Sequence, residues 1–264
     1  MGKIVAVISG KGGTGKTTIS ANLGAALSLM DQKVLLIDGD AGLRNLDLLL
    51  GLETKIKVDL DQVLQAQSSW QEAVLQVERF PNLFLLPGAK EHRALPVFET
   101  VELLRTVKED FDWILIDCPA GMGDLFRVAV NQAEQLICVV TPDITSVQNG
   151  RRALREALQH SKAEPLFILN RANFNAMVLG ESLDVESVAG LLPAILLGVI
   201  EEDSGFVRAA NLGELLMVQD RSPATQSLRR IAKRLLGEKI AFPKMQARPV
   251  EEVGFLKWWR NLLK

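Results

Sequence analysis

Nine residues, GKGGTGKTT at positions 10–18, constrain this chain more than any other feature. Gly10, four intervening residues, Gly15, Lys16 and Thr17 satisfy the template of a phosphate-cradling loop. The run before it, KIVAVIS (3–9), reads as a buried strand, and residues 17–30 read as an amphipathic helix. Glycines at such a strand-to-helix turn let the backbone approach a polyphosphate. The N–H groups at the positive end of the helix then point at it. Lys16 is placed to reach the β and γ phosphates, and the Thr17 hydroxyl to sit on Mg²⁺. The cradle expected from this motif comprises Gly10, Lys11, Gly12, Gly13, Thr14, Gly15, Lys16, Thr17 and Thr18.

Further apolar runs follow at residues 33–38, 82–88, 112–117, 135–141, 165–171 and 194–200, separated by helical patterns. Near-continuous apolar strands alternating with amphipathic helices mark a parallel sheet covered on both faces. The expected fold is α/β, a doubly wound and mainly parallel sheet of about seven strands, spanning residues 1–238. Phosphates should lie at the carboxyl ends of its strands. The 264 residues, 48% hydrophobic and 23% charged, suffice for such a core, and the net charge of −2 offers no global attraction to nucleic acid. Cys118 and Cys138 sit inside apolar runs and read as small buried hydrophobes of a reducing compartment. The first apolar run is too short for a signal peptide and enters the loop directly. No stretch reaches the 18 or so apolar residues of a spanning helix. The expected location is cytoplasmic unless another element brings the chain to a membrane.

Two strand ends carry carboxylates where a Mg-nucleotide site needs them. Asp117 closes the run DWILID and is placed to support the metal through its water shell. Asp38 and Asp40 end the second strand in IDGDAGLRNLD. One is suited to the metal shell and the other to taking a proton from an attacking water, and spacing alone leaves that division open. Lys11 is unusual: a second lysine, five residues before Lys16, does not easily serve the same phosphates within one subunit. Supplied in trans, such a cation stabilises transferring phosphoryl groups as arginine fingers do.

With that extra lysine, the segment SGKGGTGKTT resembles the deviant phosphate-loop ATPases, the MinD/ParA family. Within it the septum-positioning branch is the nearest match, through LIDGDAGLRNLDLLLG (36–51), LIDCPAG (115–121), LNR (169–171) and EEDSGFVRAANLGE (201–214). The resemblance implies ATP as nucleotide and a homodimer formed face to face when ATP is bound, with Lys11 reaching the partner's nucleotide. It implies Lys16 and Thr17 on phosphate and Mg²⁺, Asp40 activating water, Asn45 ordering that water, and Asp38 and Asp117 supporting the metal. Asn170, with Arg171, would line the adenine side. It also implies a septum-inhibitor partner (MinC) and a topological regulator (MinE or an equivalent). Two segments depart from the family pattern. Glu201-Glu202-Asp203 stands where Pro-Glu-Asp is usual, loosening the adenine-side loop. SVQNGRR (146–152) replaces SVRDADR, putting Asn149 and Arg151 in place of acids near a surface expected to pair and bind partners.

Residues 239–253, with two prolines and no helical period, read as a linker to GFLKWWRNLLK (254–264). On a helical wheel Phe255, Leu256, Trp258, Trp259, Leu262 and Leu263 fall within an arc of roughly 160°. Lys257, Arg260, Asn261 and Lys264 take the other side. Tryptophans opposite cations suit the headgroup boundary of an anionic bilayer, so the expectation is a peripheral membrane anchor. A helix of about ten residues is too short to be stable alone in water and should order on binding. One tail then binds reversibly, while two linked tails bind roughly 10²- to 10⁴-fold better, which would make pairing a membrane switch.

The leading expectation is a peripheral membrane ATPase that helps place the division site by recruiting a septum inhibitor, with hydrolysis releasing it. A related ATPase controlling flagellar number is the alternative, disfavoured by a first strand that starts at residue 3. A DNA partition ATPase would need a local basic surface that the 32 acids dilute, so DNA is not an expected partner. A shared iron–sulfur cluster fits poorly, because Cys118 directly follows Asp117.

Overall fold

The computed structural model describes residues 1–40, 42, 44–90, 96–119, 121–219 and 222–243. Its apolar runs form β1 (Lys3–Ile8), β2 (Val34–Asp38), β3 (Leu75–Gln76), β4 (Leu83–Leu86), β5 (Trp113–Asp117), β6 (Gln135–Val140), β7 (Glu164–Ala172) and β8 (Ile195–Glu201). They make one eight-stranded sheet in the order β3-β4-β2-β5-β1-β6-β7-β8. Every neighbouring pair is parallel except β3 with β4. The count exceeds the expected seven by β3, a two-residue strand too short to carry a period.

The helices are α1 (Lys16–Ser28), α2 (Asn45–Leu49), α3 (Leu60–Leu64), α4 (Trp70–Ala73), α5 (Val97–Asp110), α6 (Asp124–Gln132), α7 (Ile144–His160), α8 (Phe174–Val178), α9 (Val185–Leu191), α10 (Gly205–Ala210) and α11 (Pro223–Leu235). Alternation along β1 sorts them into two layers. Val5 and Val7 join a core with residues of α1, α10 and α11 and with Leu46 of α2. Ile4, Ala6 and Ile8 face the opposite core, built with α3, α5, α6, α7 and α9. This period of two on strands buried from both sides is why the sequence reads as continuous apolar runs.

α1 is buried over all its residues except Thr17 and Thr18. A helix enclosed in this way cannot shift without disturbing its neighbours, so the loop at its start is held on a rigid base. Gly15 caps it in the left-handed region at φ 86°, a conformation that disfavours any side chain. α5, α6 and α7 instead present one apolar face each, with polar residues outward.

The chain after β1 crosses to β2 on one side, while the chain after β5 crosses to β6 on the other. β1 therefore stands at the topological switch point, where open α/β sheets leave a crevice at the carboxyl ends of their strands. The loops after β1, β2, β5, β6, β7 and β8 converge there.

Candidate functional site: a phosphate loop and its carboxylates

The ends of β2 and β5 meet in register, with Asp38 opposite Asp117. Asp117 is fully buried and accepts four contacts that define the floor of the crevice. Its Oδ1 lies 2.8 Å from Lys16 Nζ and 2.9 Å from the donating Ser20 hydroxyl. Its Oδ2 accepts from the Thr17 hydroxyl at 2.7 Å. The main-chain oxygen accepts from the Gly39 N–H at 3.0 Å, tying the loop after β2 to the same strand end. Lysine, threonine and serine on the first turns of α1 thus converge on one carboxylate.

Asp38 uses its own carboxylate as a staple. Oδ1 accepts the Asp40 N–H at 3.0 Å, and Oδ2 accepts the Leu46 N–H at 3.1 Å. Burial pushes its pKa up to about 6, reinforced by the Asp117 charge and opposed by those two N–H groups and by Lys16. Two carboxylates side by side and largely dry favour a cation between them and the Thr17 hydroxyl. This donor set of hard oxygens, one raised in pKa, fits Mg²⁺.

The loop itself is open where a polyphosphate would lie. Gly12 and Gly13 are exposed with nothing near the position of a side chain, and Gly13 has φ 82°. Gly10 lies against the backbone of Asn149 in α7. The buried Thr14 Oγ1 lacks a hydrogen-bond partner, and the Thr14 carbonyl accepts Asn170 Nδ2 at 2.8 Å. Asn170 also stands where a side chain at position 15 would fall, so it braces the loop from β7. A cleft of about 580 Å³ opens beside it, lined by Gly15, Thr18, Asn170, Arg171, Glu202 and Phe206 among others. Arg171 is exposed and takes φ 55°.

Asp40 and Asn45 flank the loop after β2, both half-buried, with Asn45 opening α2. Between them Arg44 adopts φ 45° and donates through Nε and Nη2 to the buried Asp47 carboxylate at 3.0 and 2.8 Å.

Lys11 departs from the rest of the loop. Its Nζ pairs with Asp143 Oδ1 of the same chain at 3.2 Å, away from the Lys16 cluster. Asp143 caps α7 through the Ser146 N–H and accepts from the Thr141 and Thr145 hydroxyls at 2.6 and 2.7 Å. Partial burial works against its ionised form, yet these donors and Lys11 hold the carboxyl well below the usual carboxylate range.

Residues 2–165 match the family model described as an AAA domain. The septum site-determining protein MinD of Bacillus subtilis is 36% identical over 244 residues, covering 91% of each chain. The chain belongs to the MinD family. Among solved structures, the MinC:MinD cell division protein complex of Aquifex aeolicus superposes at TM-score 0.85 and 34% identity, over 92% of this chain and 98% of that one. The MinD of Pyrococcus horikoshii complexed with Mg-ADP superposes at 0.79 and 30%, over 91% of this chain and all of the other. The sheet and loop described above are accordingly those of a phosphate-loop NTPase of this family.

The structure gathers Lys16, Thr17, Asp38 and Asp117 at one strand-end cluster, with Asp40 tied to it by its backbone N–H, Asn45 at its margin and Asn170 and Arg171 on the cleft side. Lys11 stands apart. Ser20 and Asp143 were missed from sequence. Ser20 could have been found by spacing, since it follows Lys16 by four and Thr17 by three on one helix face. Asp143 could have been found as an Asp one residue before a helical run with Ser146 three further on. The cysteines are fully buried, and burial pushes both thiols up to about 12, as expected of inert hydrophobes. Among the described residues no helix is long and apolar enough to cross a membrane. Phe255, Leu256, Lys257, Trp258, Trp259, Arg260, Leu262, Leu263 and Lys264, read from sequence as the lipid-contacting helix, lie outside the described residues.

Proposed function

We propose that this protein is a Mg-dependent ATPase that helps place the bacterial division site by pairing on ATP and recruiting a septum inhibitor to the membrane. The observation that carries the reading is the convergence of Lys16, Thr17 and Ser20 on buried Asp117, with Asp38 in register beside it. Lys16 exchanges Asp117 for the β and γ phosphates, and N–H groups of residues 12–17 donate to the phosphate oxygens. The Thr17 hydroxyl, with Asp38 and Asp117, would hold Mg²⁺, which when bound would supply positive charge to offset the phosphates. Asp40 accepts the proton of the attacking water, which Asn45 orients. Adenine occupies the cleft beside Asn170 and Arg171.

Lys11 completes the site from the other subunit. Both it and Asp143 are partly exposed, so a solvated pair holds it and exchange onto a partner's phosphate costs little. Pairing brings two C-terminal helices to one anionic surface, and hydrolysis returns both to weak single binding. An Aquifex MinD is solved as a complex with MinC, which supports a septum inhibitor of that kind as partner; in this reading a MinE-type regulator is the activator.

Sedimentation with anionic vesicles and size determination in solution test this directly. Lys11→Ala should still bind ATP within a few-fold but remain monomeric and lose ATP-dependent sedimentation. Equal recovery of the wild type with ADP and with ATP would refute the cycle.

A further inference from the structure

The last turn of α11 carries a guanidinium with all sides of its fork engaged. Arg234 donates through Nη1 to the Leu197 carbonyl at 2.8 Å, through Nε to that of Ile240 at 3.0 Å, and through Nη2 to that of Ala241 at 3.1 Å. Its Cζ also lies 4.0 Å from the ring centroid of Phe242. Two features of β8 prepare this contact. Phe167 pairs with Leu196 and Ile168 with Gly198, so Leu197 is the extra residue of a bulge, where ladder pairing lapses. At Gly198 a Cβ would stand 2.3 Å from Ile231 Cγ1, so only glycine lets α11 lie this close to the strand.

The chain leaving α11 turns back on it. Gly237 takes φ 91°, the Glu238 N–H donates to Lys233 O at 3.0 Å, and the Ile240 N–H donates to Glu238 O at 3.0 Å. The Lys233 ammonium lies 3.5 Å from the Glu238 carboxylate. The stretch that reads from sequence as the start of a linker is therefore fastened for its first residues to the helix it has just left. A lysine could not substitute, because only the planar fork reaches three carbonyls while stacking on a ring.

We propose that Arg234 is a positioning residue: by tying Ile240, Ala241 and Phe242 to bulged β8, it fixes where the C-terminal segment departs and shortens the tether of the lipid-contacting tail. The clamp stands on the contacts above, and its consequence for binding rests on the proposed membrane function. From Lys244 to Val253 the tether is ten residues, and release back to Gly237 makes it seventeen. Effective concentration falls as roughly the −3/2 power of tether length, so the second tail's engagement weakens by about two-fold.

The test uses the full chain in three forms: wild type, Arg234→Lys and Phe242→Ala. In the absence of lipid, trypsin cleavage after Lys239, followed by mass spectrometry, should be about ten-fold faster in both variants. Basal ATP turnover should be unchanged. Cleavage at the wild-type rate would overturn the clamp. With ATP and vesicles of phosphatidylglycerol and phosphatidylcholine in equal parts, both variants should need about twice the lipid for half-binding. Wild type carrying seven Gly/Ser residues inserted between Pro243 and Lys244 should match them. Variants that are cleaved faster yet bind like wild type would overturn the positioning role. A wild type that ignores vesicles with ATP would refute the proposed function instead, and the clamp would then be decided by cleavage alone.

Discussion

Asp38 ties the chemistry of the site to pH. Its folded pKa of about 6 lies above the ordinary 3.8, so the protonated form stabilises the nucleotide-free fold. That contribution is complete below 3.8 and is lost as pH rises through about 6. In the proposed site, metal binding would require the ionised form and run the other way. Affinity for Mg-ATP should be flat above pH 7 and fall about ten-fold between pH 8 and 5, measured calorimetrically at fixed free Mg²⁺. A flat profile across that range would show that Asp38 does not face the metal. Much of this site was legible in the sequence, because Lys16 and Thr17 belong to a motif whose spacing encodes its geometry and Asp117 closes an apolar strand run. The pairing of Lys11 with Asp143 was not. It joins residues 132 positions apart, and nothing in local spacing places the end of β6 beside the loop after β1.

At the scale of elements, the long strands were readable as apolar runs, and α5, α6 and α7 by one apolar face each. α1, expected to be amphipathic, is instead buried nearly all round because it packs under the sheet's other helices. The short helices α2, α3, α4 and α8 were not readable, since four or five residues cannot display a period. Capping signals did exist for two of them. Asp59 with Gln62, and Ser69 with Glu72, each form a reciprocal capping box. The seam between β8 and α11 was equally hidden, although it depends on a single residue. Gly198→Ala would drive a methyl into Ile231, and the resulting overpacking should destabilise the fold by about 1–3 kcal/mol, seen as a lower midpoint in urea with unchanged slope. Unaltered stability would mean that α11 can lift without penalty.

Across the whole molecule, the crevice and the proposed anchor should be separable. The described residues form a sheet with both faces covered, so a chain ending at residue 253 should melt within a degree or two of the full chain and hydrolyse ATP at its basal rate. The same chain should no longer sediment with anionic vesicles in ATP. Retained sedimentation would move the lipid contact onto the domain itself. Such separability is what the proposed avidity switch would need, since its tail could then be tuned without touching the phosphate-loop cluster.

One rim of the sheet ends on β3, a two-residue antiparallel stub, and the other on β8, whose pairing with β7 shifts register twice. Neither offers the straight ladder of unpaired amides and carbonyls along which neighbouring sheets zip together. Among the described residues, copies crowded on a bilayer would therefore find no long regular edge along which to add strand to strand.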